Sequence, residues 1–101
     1  MNTITNKTMD NILNDNKITV LDFWAPWCGP CKLIGPTIDK LQAKRSDIFV
    51  GKVNVDDNSD LASRFKIRSI PTIMFFKGNE KVAQVSGNKS LQELETIINN
   101  L

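Results

Sequence analysis

Cys28 and Cys31 are the only two cysteines of this 101-residue chain, which has no histidine. They lie in the run Trp27-Cys28-Gly29-Pro30-Cys31-Lys32, WCGPCK. Two thiols at this spacing can hold a metal, close a structural bridge or pass electrons. A closed zinc site takes four ligands, usually Cys or His. One chain with two Cys and no His cannot complete it, and a shared zinc or iron–sulfur centre would need two chains. A bridge across so short a loop gains least from chain entropy, so stability is a poor reason for it. Redox exchange uses the spacing directly, because helical residues i and i+3 share a face and bring two sulfurs together. A helix starting near Cys28 would set that thiol at the positive end of the helix dipole, beside unpaired N–H groups, and lower its pKa. Cys28 is then the exposed, attacking thiol. Cys31, one turn in and further from solvent, is the resolving one. Pro30 suits a first helical turn, where its missing N–H costs nothing, and Gly29 with Pro30 leaves little bulk over the sulfurs.

The flanking patterns supply such a frame. Ile18 to Trp24, ITVLDFW, is apolar on both faces and rich in β-branched and aromatic residues, as in a central strand covered on both sides. Ile34, Ile38 and Leu41 then mark one face of a helix from about Cys28 to Arg45, with Lys44 and Arg45 at its negative end. Pro36 falls inside this helix and should kink it. A CxxC that follows a buried-type strand and opens an amphipathic helix is a strong redox signal.

The remaining elements alternate in type. Met9, Ile12 and Leu13 predict a short helix after possible caps Thr5 and Asn6, ending at Asn14-Asp15-Asn16. Ile48 to Val55 predicts a second central strand, and Asn58 can cap a short helix carrying Leu61, Ala62 and Phe65 inward. Thr72 to Phe76 and the alternating Lys81 to Val85 predict a hairpin about the turn Lys77-Gly78-Asn79-Glu80. Ser90 and Glu93 predict a capping box ahead of a last helix lined by Leu91, Leu94, Ile97, Ile98 and Leu101. Thr3-Ile4 can add a leading edge strand. Strands joined through helices should be parallel and the late hairpin antiparallel, giving an α/β domain, residues 1–101, with a mixed sheet and helices on both faces.

Bulk properties narrow the class further. The length allows one domain, and 41% hydrophobic with 24% charged residues is ordinary for a soluble globular chain. The net charge of +2 comes without a run of like charges, so neither a nucleic-acid arm nor a membrane patch is expected. No secretory signal and no apolar run of about 18 residues is visible, which makes a cytoplasmic address the simple expectation. There, close cysteine pairs are more often catalytic or metal-binding than structural.

Several residues admit two readings. Asp22 is the one charge in ITVLDFW. It is either a strand-end carboxylate facing water or a buried group with a raised pKa. Lys52, within FVGKVNV, reads as a solvated side chain, and Gly87 as a turn glycine. Arg64, Lys66 and Arg68 read as wet surface, or as a rim that favours acidic partners and steers their association.

Asp22 to Lys32 (DFWAPWCGPCK), Pro36, Val53 to Asp56 (VNVD), Ile67 to Thr72 (IRSIPT), Phe75 to Asn79 (FFKGN) and Gly87 together resemble the thioredoxin family, in order and over essentially the whole chain. Gly-Pro between the cysteines resembles the reducing members rather than isomerases or periplasmic oxidants. The net positive charge departs from the acidic balance of many bacterial members. The resemblance implies the thioredoxin fold and a protein-disulfide reductase cycling Cys28 and Cys31 between dithiol and disulfide. It implies Asp22 beneath Cys31 as its general acid/base, with Lys52 nearby. It also implies a cis bond before Pro71, and a flat apolar binding patch of Trp27, Gly29, Pro30, Ile70, Pro71 and Gly87, on which the Ile70 backbone would pair with an extended substrate. No cofactor or metal is expected on the chain itself. Electrons would come from NADPH through a separate flavin-containing thioredoxin reductase, and the expected partners are that reductase and disulfide-containing proteins, met by a monomer. The rival class is a thioredoxin-fold binding or chaperone-like subunit whose thiols are dispensable.

Overall fold

A computed structural model describes residues 2–101; Met1, the first residue of the expected 1–101 domain, lies outside them. The elements run β1 (Asn2–Thr3), α1 (Asn6–Asp15), β2 (Ile18–Trp24), α2 (Gly29–Lys44), β3 (Phe49–Asn54), α3 (Ser59–Arg64), β4 (Thr72–Lys77), β5 (Glu80–Ser86) and α4 (Leu91–Asn99). The five strands form one sheet in the order β1-β3-β2-β4-β5. The first three strands are mutually parallel and β4 is antiparallel to both its neighbours, β2 and β5, the mixed sheet that the helix-linked order predicts.

Period-two alternation along β2 divides the core. Leu21 and Phe23 pack with Ile4, Met9, Leu61 and Met74 against α1 and α3. Val20 packs with Ile34, Ile38, Leu41, Phe75 and Leu94 against α2 and α4. Asp22 is in step with Val20, so the strand carries its carboxylate beneath α2, the helix that Cys28 opens. In the parallel ladder Asp22 is registered with Lys52 of β3, which places their side chains on the same face.

Local chemistry sets the element ends. Ser90 Oγ accepts from the Glu93 N–H at 3.1 Å and Glu93 Oε1 accepts from the Ser90 N–H at 3.2 Å, the expected capping box. Helix α2 runs unbroken through Pro36. Asn58 does not cap α3 with its side chain. Its amide instead donates to the Asn54 carbonyl at 3.1 Å, while its own carbonyl accepts from the Ala62 N–H at 3.0 Å. The β5 alternation is interrupted as well. A register shift between Phe75 and Phe76 leaves Val82 on the outside, 38% exposed, while Ala83 and Val85 turn toward the core.

Helix α3 ends in a Schellman arrangement. The Ile67 N–H reaches the Ala62 carbonyl at 2.9 Å, and the Lys66 N–H reaches Ser63 at 3.1 Å. The left-handed position of that motif usually takes glycine, but here it is held by Lys66, with φ of 55°. No glycine marks this helix end in the sequence.

Candidate active site

Cys28 stands at the N-cap of α2 with extended backbone, φ −87° and ψ 112°. Its sulfur accepts from the Cys31 N–H at 3.2 Å, an N–H that the first helical turn leaves without an intrahelical partner. Gly29 and Pro30 form the first turn and are exposed. Cys28 and Cys31 are joined in a disulfide, with their Cα atoms 5.3 Å apart.

The two sulfurs do not differ in exposure as the sequence suggested. Cys28 is 5% exposed and Cys31 4%. The reason is a small cluster in which Ala25, Trp24, Val55 and Ile70 pack around the pair, so Trp24 is half-buried against the cysteines instead of belonging to the main core. What separates the cysteines is their position on the helix. Cys28 accepts at the open N-terminus, and Cys31 lies within the first turn, above Asp22.

The loop before β4 brings the second part of the site. The Ile70–Pro71 peptide is cis, as the family resemblance implied. Pro71 is buried, and the Ile70 carbonyl oxygen lies 3.8 Å from Cys28 Sγ. Thr72 Oγ1 donates to the Ser69 carbonyl at 2.5 Å within this loop. Gly87 is not only a turn residue. Its N–H donates to the Pro71 carbonyl at 3.0 Å, and its φ of 82° is one that side chains rarely adopt. Trp27 is 70% exposed, and its indole N–H donates to Asp56 Oδ2 at 2.9 Å. Trp27, Gly29 and Pro30 adjoin Cys28 in the chain, Ile70 packs against the cysteine pair, and Gly87 is tied to Pro71.

Beneath the pair, Asp22 is 1% exposed, which removes the reading of a strand-end carboxylate in water. Its buried Oδ1 has no hydrogen-bond partner. Burial pushes its pKa from 3.8 to about 7, with the nearby Lys52 ammonium pulling it down and Asp39 pushing it up. Asp22, Trp24, Cys31, Lys32, Gly35 and Lys52 line one cavity of about 150 Å³. Its lining is mostly apolar, but Asp22 and Cys31 share it, and it is large enough to hold a water molecule between them.

Lys52 is neither simply solvated nor paired with Asp22. Its ammonium lies 3.2 Å from Asp39 Oδ1 on α2. Sequence reasoning missed Asp39, although Cys31, Gly35 and Asp39 recur every four residues along one stripe of α2. It also missed Asp56, and Leu33, which is 66% exposed on the Gly29–Pro30 side of the same helix. Among the described residues no group of three or more His, Cys, Asp or Glu side chains is placed to hold a metal ion, and no helix is long and apolar enough to cross a membrane.

Comparison with known proteins matches this geometry. The thioredoxin family model matches residues 1–100. Thioredoxin 1 of Nostoc sp. is 48% identical over 86 residues, covering 83% of this chain and 80% of its own. A bifunctional thioredoxin reductase/thioredoxin of Mycobacterium leprae is 36% identical over 96 residues, 90% of this chain but 21% of the longer protein. The solved structure of Plasmodium falciparum thioredoxin superimposes with a TM-score of 0.91 at 28% identity, covering 99% of this chain and 98% of that one. With its cysteine pair bonded at the head of α2, the chain belongs to the thioredoxin family and is a thiol–disulfide oxidoreductase of the protein-disulfide reductase type.

Proposed function

We propose that the protein reduces disulfides of other proteins in two exchange steps, Cys28 attacking and Cys31 resolving. The observation that carries this assignment is the Cys31 N–H aimed at Cys28 Sγ at 3.2 Å. Together with the helix N-terminus it favours a thiolate at Cys28 in the reduced form. The Cys28 thiolate attacks one substrate sulfur, forms a mixed disulfide and expels the other substrate sulfur as thiolate. The Cys31 thiol loses its proton to Asp22 through the shared cavity and attacks Cys28 Sγ, which releases the second substrate thiol. Two electrons have then passed to the substrate, and the protein holds the Cys28–Cys31 disulfide. Lys52 supports Asp22 by opposing its burial-driven rise in pKa.

Trp27, Gly29, Pro30, Ile70, Pro71 and Gly87 form the binding face, with the Ile70 backbone pairing an extended substrate strand as an added sheet edge does. The chain works as one domain and as a monomer, in the cytoplasm, with neither nucleic acid nor membrane as a partner. It binds no cofactor. Electrons return from NADPH through a separate flavin-containing thioredoxin reductase; the joined reductase and thioredoxin of the M. leprae relative supports that pairing.

Insulin reduction coupled to NADPH and a thioredoxin reductase tests this reading. Turnover is expected for the native chain. Cys28→Ser should be silent, and Cys31→Ser should accumulate the mixed disulfide through Cys28. A trapped adduct through Cys31, or turnover without Cys28, would overturn the assignment. Ready reduction of the Cys28–Cys31 bond by millimolar glutathione would point to an oxidant instead.

A further inference from the structure

A groove of about 600 Å³ runs away from the cysteine pair, between Trp27 and Val55 on one side and the α3 end with its following loop on the other. Ile70 belongs to both places. It lines the groove, and its carbonyl oxygen is the atom 3.8 Å from Cys28 Sγ. A chain segment flanking a disulfide attacked at Cys28 therefore has this groove as a direct continuation.

The groove carries a definite charge. Its walls are apolar at Val55, Ile67 and Ile70, and among the described residues the charged ones lining it are two cations, Lys66 and Arg68. The Asp56 carboxylate, which is not part of the lining, accepts from the Trp27 indole N–H at 2.9 Å and keeps its negative charge. The third member of the basic run, Arg64, is turned away. It pairs with Asp10 at 2.6 Å and stacks over Phe65, its guanidinium carbon 5.1 Å from the ring centre. Lys66 and Arg68 thus stand apart as the cationic lining.

Lys66 provides a second, independent observation. With φ of 55° it occupies the left-handed position where glycine is the unstrained residue. Strained backbone of this kind collects where a side chain is needed in a particular place. Here the residue in that conformation is one that lines the groove together with Trp27.

We propose that this groove selects acidic, extended segments flanking the disulfide of a substrate protein, with Lys66 and Arg68 as its specificity-determining cations. The proposal rests on the reductase reading and names the substrate class for the same site.

The test uses two disulfide-bridged peptides that are identical except for three residues flanking one cysteine, Glu-Glu-Asp in one and Gln-Gln-Asn in the other. Both are reduced by the full chain with NADPH and reductase. At low salt, kcat/KM should favour the acidic peptide by roughly five- to tenfold, the size expected of two exposed charge pairs with steering. Near 1 M salt, where the screening length falls to about 3 Å, the preference should collapse. The double variant Lys66→Gly, Arg68→Gln should bring the ratio to within about twofold at low salt, while Arg64→Gln keeps it. Equal rates for the two peptides in the native chain, or a preference that survives in the double variant, would overturn the proposal. If neither peptide is reduced, the reductase reading itself fails and the proposal falls with it.

Discussion

Lys52 sits beside Asp22 in the β2–β3 ladder, yet its ammonium is bridged to Asp39 of α2 at 3.2 Å, leaving the buried Asp22 Oδ1 without a partner. Lys52 and Asp39 therefore act on Asp22 in opposite ways. Asp39 holds Lys52, while Lys52 lowers the pKa of Asp22 and Asp39 raises it. Removing the charge of Asp39 should strengthen the hold of Lys52 on Asp22. Asp39→Asn is expected to move the Asp22 titration below its present value of about 7, and Lys52→Met to move it higher. Carboxyl NMR across pH 4 to 9 reads both directions; a Lys52→Met shift downward would contradict the arrangement.

The raised pKa of Asp22 makes stability depend on pH. The folded state holds a proton up to about pH 7 that a carboxyl of ordinary pKa 3.8 releases in the unfolded chain. Folded Asp22 thus binds more protons than the unfolded group across that window, so stability declines as pH rises from about 4 to 7 and then levels. The displacement corresponds to about 4 kcal/mol at most. Relative to Asp22→Asn, the native chain should lose up to this amount between pH 4 and 8, measured by denaturant unfolding of the oxidised form. A difference that stays flat with pH would show that Asp22 is not perturbed.

The same group should govern turnover. General acid–base help is worth about a hundredfold or more where a proton must leave in the transition state. Asp22→Asn is expected to slow release of the mixed disulfide by about that factor and to remove the inflection near pH 7 from the rate profile. An unchanged rate from pH 6 to 9 would remove Asp22 from the mechanism.

Much of this site was legible in the chain because its chemistry is local. The spacing of Cys28 and Cys31, the strand before them and the amphipathic helix after them already give the disulfide and its place at a helix N-terminus. Asp22 remained ambiguous because its burial depends on α2 covering one face of β2, a contact between distant segments. Resemblance to thioredoxins resolved it. The cis bond before Pro71 likewise came from resemblance, since X-Pro bonds are mostly trans. The partners that escaped notice, Asp39 for Lys52 and Asp56 for Trp27, pair across separate elements; the four-residue stripe sets Asp39 on the Cys31 side of α2 but does not say which strand residue lies opposite it. The burial of Cys28 escaped for a similar reason, because Ile70, which helps cover it, is 42 residues away.

Gly51 illustrates a packing requirement hidden in a strand. It lies mid-β3 beside β1, and a Cβ built there would meet the Ile4 side chain and come within 3.1 Å of Phe49 Cε1. Gly51→Ala should therefore overpack the α1 side of the sheet and cost about 1–3 kcal/mol. Shortening the obstructing side chain should restore part of the loss, so Ile4→Val is expected to be less harmful in the Gly51→Ala background than alone. A double-mutant cycle in urea measures the coupling; strict additivity would mean that Ile4 is not what the new methyl meets.

Lys66 offers the converse case, a side chain where glycine would fit better. Left-handed backbone costs an L-residue roughly 1–2 kcal/mol, and glycine gives back part of that through greater freedom in the unfolded chain. Lys66→Gly is then expected to stabilise the fold by about 0.5–1 kcal/mol, by shifting the urea midpoint upward without changing the slope. Lys66→Val should do the opposite, because β-branching makes positive φ harder to hold. If both substitutions lowered stability equally, the contribution of Lys66 would lie in its side-chain contacts, not in the backbone at the end of α3. Gain of stability in Lys66→Gly together with loss of acidic-peptide preference would show a chain that keeps a strained lysine for what it binds.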